Sequence, residues 1–265
     1  MIPPAERGPG KDPSEVGRSI GPAELERLRL AGLSDSFDPW LSRFARDAWR
    51  CGGEVRVVAD AAGPVRALYL FHPFEGEASV FTREAALAES LRRLRPGTAL
   101  YSDFRLGAPS VEFIVYAGPT GSVPGRHRFR HPVRLASAGD RSGVAAVLRQ
   151  VDGSVDEGWI ATASAGSEDC LVVDGAGELA GVGWASRTGG HGRLHSLAVR
   201  PAYRRAGIGT DLFFARCAWL RTNGARWLVT EIATANAASR AIAEAGALRP
   251  VGHLYRSSPE PPGRP

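Results

Sequence analysis

The chain has 265 residues, 43% hydrophobic and 23% charged, a globular composition with room for one large domain or two ordinary ones. No apolar run approaches the ~18 residues of a membrane span. Met1-Ile-Pro-Pro-Ala-Glu-Arg also lacks the apolar core of a signal peptide, so a cytoplasmic protein with no membrane partner is expected. The net charge of +5 is spread thinly: 18 basic and 16 acidic residues lie before His131, 15 and 12 from there on. Without a basic stripe or tail, no nucleic-acid partner is expected.

Lys11 is the only lysine, and the bias to Arg, Ala and Gly points to a GC-rich bacterial genome. Cys51, Cys170 and Cys217 are far apart and odd in number, so neither a disulfide framework nor a metal site is expected. The apolar contexts of Cys170 and Cys217 mark them as buried small hydrophobes.

Residues 1–20, rich in Pro, Gly and charge, read as a disordered arm. A helical region over Pro22–Arg50 carries Leu25, Leu28, Leu41, Phe44 and Trp49. Strand patterns follow at Glu54–Ala59, Val65–Phe71 and Ala78–Thr82, then a helix at Arg83–Arg95 stopped by Pro96-Gly97. Strands over Thr98–Arg105 and Val111–Ala117 complete a first domain, residues 21–118. Residues 119–131, crowded with Gly, Pro and basic side chains, read as a linker.

The second domain, residues 132–257, opens with a strand at Val133–Ala136 and a helix at Asp140–Val151. Leu171–Asp174 and Leu179–Ser186 form a hairpin around Asp174-Gly-Ala-Gly, and Arg193–Val199 is a further strand. A helix after Gly209 runs to about Thr222 and ends at Asn223-Gly224. Trp227–Ile232 is strand, Asn236–Ala245 helix, Val251–Arg256 strand, and 258–265 a Pro-rich tail. Both halves thus read helix, three strands, helix, strand, strand, the pattern that a duplication would leave. The fold class is α/β.

The chemistry centres on Gly207-Ile208-Gly209, between a strand and an amphipathic helix. Glycines there let the backbone approach an anion, while the free amides and positive end of the helix point at it. Arg204 and Arg205 add fork-shaped cationic donors. A dinucleotide fingerprint would need glycine where Leu212 stands, and a Walker loop would need a lysine. Two glycines alone are compatible with an ordinary strand–helix turn.

The longer string Val199-x-Pro201-x-x-Arg204-x-x-Gly207-x-Gly209-x-x-Leu212 resembles motif A of the GNAT superfamily of N-acetyltransferases. The resemblance runs from about His131 to Arg256 and implies a mixed central sheet flanked by helices. The first half, which has no such loop, would then be an α+β domain, a degenerate copy in a tandem GNAT arrangement. The resemblance implies that the amides of Arg205, Ala206, Gly207, Ile208, Gly209 and Thr210, with Arg204, hold the pyrophosphate of acetyl-CoA. It also implies that Leu197, Ala198 and Val199 pair with the pantetheine arm, Val199 offering its N–H to the acyl carbonyl.

His195 resembles the strand histidine that serves as base in arylalkylamine N-acetyltransferases; a packed structural histidine is the alternative. Glu231 stands where relatives place a carboxylate near the acceptor amine, though a solvated strand carboxylate reads the same way. Asn236 is an N-cap by position and, by resemblance, a contact to the cofactor arm, with Ser239 lining the channel. Trp159, in Asp156-Glu157-Gly158-Trp159, is either acceptor wall or core. Trp184 and Trp227 read as packing residues. Phe71-His72-Pro73-Phe74-Glu75-Gly76-Glu77 is either a strand-ending loop or an acceptor cover.

One departure matters. The family's tyrosine, which protonates the leaving thiolate, falls at Ala243, leaving water, Ser239 or Tyr255 for that step. Because a thiol of ordinary pKa (~8.5) leaves well, losing that acid costs about 10²-fold, not all activity. The expectation is an N-acetyltransferase moving acetyl from acetyl-CoA to the primary amine of a small molecule, as monomer or homodimer. A protein acetyltransferase and a non-catalytic acyl-CoA-binding module are the alternatives.

Overall fold

A computed structural model describes residues 17–28, 30–34, 37–50, 52–59, 64–73, 77–95, 97–106, 109–152 and 168–258. Cys51, Trp159 with its neighbours and Phe74-Glu75-Gly76 therefore lie outside the described residues. Contacts divide the chain into two units. The first holds the described residues up to Ser34, from Leu41 to Pro109 and from Arg256; the second holds residues 37–40 and the described residues of Ser110–Tyr255.

The first unit comprises β1 (Arg18–Ser19), α1 (Pro22–Leu25), α2 (Leu41–Arg50), β2 (Glu54–Ala59), β3 (Val65–His72), β4 (Glu77–Thr82), α3 (Ala85–Arg92) and β5 (Ala99–Ser102). Its strands order as β1-β2-β3-β4-β5, antiparallel except for the β4–β5 pair that the α3 crossover makes parallel. Ala67, Tyr69, Ala78, Val80 and Leu100 pack with Ala88 and Leu91 of α3 into a closed core.

In the second unit β6 (Pro109–Pro119), β7 (Arg134–Leu135), α4 (Arg141–Asp152), β8 (Glu168–Asp174), β9 (Leu179–Thr188) and β10 (His191–Val199) come first. The helix α5 (Ile208–Thr222), β11 (Trp227–Ala233), α6 (Ala237–Ala245) and β12 (Arg249–Ser257) follow. Strand order is β12-β6-β11-β10-β9-β8-β7; β10–β11 is parallel, whereas β6–β11, β9–β10, β8–β9 and β7–β8 are antiparallel. Residues of α4 (Val144, Ala145, Val147, Leu148) pack on one sheet face with Val182, Trp184 and Ala198. Ile208, Leu212, Phe213, Cys217 and Leu220 of α5, with Ala243 of α6, cover the other face together with Leu194, Leu228 and Ile232. This is the mixed sheet flanked by helices that the sequence implies.

Both units run three antiparallel strands, a helix, and a strand returning parallel to the third. The crossing differs in one respect. In the first unit all four residues of β5 pair with β4. In the second, β10 and β11 pair only at His191↔Trp227, Gly192↔Leu228 and Arg193↔Val229, although both strands run on. Beyond Arg193 the two strands splay.

Several sequence expectations shift. The segment read as a linker, 119–131, falls wholly inside the second unit, and the division comes ten residues earlier, at Pro109/Ser110. Gly and Pro break regular structure there without freeing the chain: β6 pairs with β11 from Phe113 to Pro119, and Thr120 Oγ1 donates to the Ala225 carbonyl at 2.9 Å. Trp227 opens β11 and is 42% exposed, whereas Trp184 is fully buried as expected of packing. Cys217 is buried as expected while Cys170 is only half-buried at the edge of the α4-side core; burial pushes both thiols up to about 12, which suits inert residues. No helix among the described residues is long and apolar enough to cross a membrane.

Candidate active site

The site begins at a bulge in β10. The register against β9 shifts between His195 and Ala198, and Ser196 takes a left-handed conformation (φ 50°). After the bulge, the ladder dictates where each amide points. Arg200 N donates to Ala180 O at 3.0 Å, so by alternation Ala198 also bonds toward β9. Leu197 and Val199 then turn their backbone groups to the opposite edge, where β11 has departed. The Val199 carbonyl is already met by Arg204 Nε at 3.1 Å, which leaves its N–H facing the cleft. Of the three residues expected to pair with a ligand, the outer two have the right orientation and Ala198 spends its bonds on β9.

Past Val199 the chain makes a short 3-10 turn, Pro201–Tyr203. Tyr203 is a residue the motif does not flag. Its hydroxyl accepts the Ala176 amide at 3.1 Å, and a Cβ on Gly175 would come within 2.7 Å of it. The β8–β9 turn thereby braces the loop from beneath. Arg205 follows with φ 68°, and Gly207 caps α5 with φ 96°. A non-glycine residue in the left-handed region stores strain of the kind found at functional loops, and the glycine carries the sharper angle without cost. The Gly207 carbonyl accepts Asp211 N at 3.0 Å, the opening bond of the helix. The amides of Ile208, Gly209 and Thr210 therefore have no intrahelical acceptor, and together with the helix dipole they form an anion cradle. A Cβ on Gly209 would meet nothing closer than Ile242 Cδ1 at 3.6 Å, so the cradle is open.

His195 and Glu231 lie on the sheet face that α4 covers. His195 pairs with Trp184, a member of the α4-side core, and cross-strand partners share a face. His195 Nδ1 is 3.2 Å from Ser196 Oγ, and its Nε2 is buried. The Glu231 side chain is 9% exposed and receives Arg193 Nε at 2.9 Å, an ion pair that its sequence context did not reveal. The loop helix α5 stands on the opposite face, so the anion cradle and the acid–base candidates address the splay from its two sides.

On α6, Asn236 is the N-cap, accepting Ser239 N at 3.1 Å, and is itself exposed. Its Oδ1 is spent on the cap and its amide NH2 group remains for a ligand. Ala243 is fully buried in the α5-side core, so that position offers neither a proton nor access.

Two supporting residues escaped the sequence pattern. Arg216, 2% exposed on α5, donates to three carbonyls: Leu212 O at 3.2 Å, and Trp184 O and His195 O at 3.1 Å each. Burial pushes its guanidinium down to about 10, still charged at neutral pH. Gly183 makes room for it, since a Cβ there would lie 3.0 Å from Nε. An arginine inside the apolar run Leu212–Leu220 was the available signal. The second is Asp211, 1% exposed, which accepts His127 Nε2 at 2.7 Å, His131 Nδ1 at 2.9 Å and the amides of Arg130 and His131 at 3.1 and 3.0 Å. Burial raises its carboxyl, but these donors outweigh burial and hold it below the ordinary value.

The site thus combines a splayed parallel strand pair with an anion cradle at its mouth. Residues 146–247 match the family model described as "Acetyltransferase (GNAT) family", so the chain carries a GNAT acetyltransferase domain and is an acyltransferase. Among solved structures, a GCN5-related N-acetyltransferase from Sphaerobacter thermophilus aligns with TM-score 0.62 at 17% identity, over 92% of this chain and 96% of that one. A Drosophila protein aligns with TM-score 0.67 at 13% identity, over 93% and 99%. A tandem GNAT protein from the clavulanic acid biosynthesis pathway aligns with TM-score 0.58 at 16% identity, over 92% and 98%. At these identities the likeness is one of fold. No curated protein matches the sequence.

Proposed function

We propose that this protein transfers an acetyl group from acetyl-CoA to the primary amine of a small molecule by direct attack across the β10–β11 splay. The observation that carries the reading is the splay itself, with amides of Leu197 and Val199 facing it and the Gly207–Thr210 cradle at its mouth. The residues suit the co-substrate: a helix N-terminus with Arg204 and Arg205 for the pyrophosphate, a strand edge for the amide-bearing arm, and the Asn236 amide beside it. Acetyl-CoA supplies an activated thioester. The chain's own part is to align it, to place the Val199 N–H against charge building on the acyl oxygen, and to take a proton from the amine.

His195 is the proposed base, acting directly or through water from the face opposite α5. Glu231, held by Arg193, contributes a fixed carboxylate that draws a cationic acceptor without itself taking the proton. Water delivers the proton to the departing thiolate, since position 243 is sealed. The sealed Ala243 is also what favours a second reading, an acyl-CoA-binding module without efficient transfer.

The test is thiol release from acetyl-CoA across a panel of small amines, peptides and proteins. Release with small amines supports the proposal; release with proteins alone moves the acceptor class. Tight CoA binding with no acceptor-dependent release leaves the second reading. For the base, His195→Ala should lower kcat by about 10²-fold and flatten the acid limb of the pH profile; an unchanged profile removes His195 from the mechanism.

A further inference from the structure

The loop carries two arginines in the motif, but a third guanidinium reaches it from a part of the chain 77 residues earlier. Arg130 lies against Gly207: a Cβ on that glycine would sit 3.3 Å from Arg130 Cδ, 3.6 Å from Nη1 and 3.8 Å from Nε. Its side chain is exposed and forms no ion pair or hydrogen bond among the described residues. By contrast the Arg204 Nε is turned back onto Val199 O.

What brings Arg130 there is Asp211, one turn into α5. Its carboxylate gathers the Arg130 and His131 amides and both His127 and His131 rings, and the His127 ring stacks on Phe214 of the same helix (centroids 4.4 Å apart, planes 13° apart). Residues 127–131 are thus strapped along the first two turns of α5. A buried carboxylate meeting four donors fixes backbone position far more tightly than an exposed ion pair would. The result is an arginine pre-positioned beside the amides of Ile208, Gly209 and Thr210, with no carboxylate to neutralise it.

We infer that Arg130 is a ligand of the CoA pyrophosphate, delivered by the 127–131 strap, and that Asp211 is the positioning residue that sets it. This rests on the proposed reading of the Gly207 loop as a CoA site. Arg130 addresses the two linked phosphates that the helix amides also bind, and its planar fork reaches oxygens that the backbone does not satisfy. Gly207 is required for its φ of 96°, and a Cβ there would also press on Arg130 Cδ at 3.3 Å.

Calorimetric titration of the full chain with CoA and with dephospho-CoA tests this. Arg130→Ala should weaken both ligands by the same factor, about 10-fold at low salt, as expected for a charge-assisted hydrogen bond. The factor should shrink as salt rises, Arg130→Lys should recover part of it, and the thermal midpoint should stay unchanged because the side chain is exposed. Asp211→Asn should also weaken CoA binding, and the Arg130→Ala/Asp211→Asn double variant should bind no more weakly than Arg130→Ala alone. Equal affinity of Arg130→Ala and wild type overturns the inference. So does a loss seen with CoA but not dephospho-CoA, which would put Arg130 on the 3′-phosphate. A wild-type chain that binds neither ligand overturns the reading of the loop itself.

Discussion

The end of α6 offers a sharp test of the packing that supports the site. A helix ending in Gly-Ala reads as a glycine C-cap, yet Gly246 has φ −78° and Ala247 takes the left-handed turn at φ 60°. The bonds Gly246 N to Ile242 O, Ala247 N to Glu244 O and Leu248 N to Ala243 O close the helix around this arrangement. Gly246 serves packing: a Cβ there would overlap the Phe213 ring, lying 2.7 Å from Cζ and 3.2 Å from Ala243 O. Ala247→Gly should therefore stabilise the protein by about 1 kcal/mol, the cost of holding an L-residue left-handed. Gly246→Ala should destabilise it by about 2 kcal/mol, since Phe213 of α5 is a core side chain with nowhere to retreat. Urea unfolding followed by circular dichroism measures both, with the slope m checked for constancy. Stabilisation by Gly246→Ala, or loss of stability in Ala247→Gly, would refute this account of the helix end.

Other outcomes follow from the buried charges. Arg216→Lys keeps the charge but replaces a fork by a single ammonium that cannot span the Trp184 and His195 carbonyls. Stability should fall by about 1–3 kcal/mol for a carbonyl left unmet. Because the bulge aims Val199, kcat should fall more than CoA affinity; steady-state kinetics showing kcat intact would sink this role. The Asp211 carboxyl is held below its ordinary 3.8 in the folded state, burial raising it and the His127, His131 and backbone donors lowering it further. Its contribution to stability is complete above about pH 4 and is lost as pH falls through the depressed folded value. Asp211→Asn should cost about 2 kcal/mol at neutral pH and show a shallower loss below pH 4 than wild type; parallel acid limbs in unfolding curves would contradict the assignment.

Local signals carried much of the architecture. The loop was legible because glycine spacing, the strand before it and the amphipathic helix after it all fall within a few turns of chain. The β8–β9 hairpin and the strand–helix–strand order of β10, α5 and β11 followed from residue patterns in the same way. What escaped was non-local or depended on which neighbour a residue met. The Arg193–Glu231 pair spans two strands, and the Asp211 cluster joins residues some 80 positions apart. Residues 119–131 show the limit of composition: their Gly and Pro forecast irregular backbone correctly, but side-chain and backbone bonds to Asp211 and Ala225 hold them to the second unit. The splay between β10 and β11, on which the site depends, has no signature in either strand alone.

The central claim is that the N-terminus of α5 binds the CoA pyrophosphate, and Gly209→Asp tests it most directly. A Cβ at 209 meets only ordinary contacts, and an acidic residue in the first turn of a helix favours the dipole, so the fold should be retained or slightly stabilised. The same carboxylate would stand where the phosphates must sit. Calorimetry should show CoA binding by the wild type and a loss of at least about 100-fold in the variant at an unchanged or higher thermal midpoint. Equal CoA affinity in the two proteins would contradict the account.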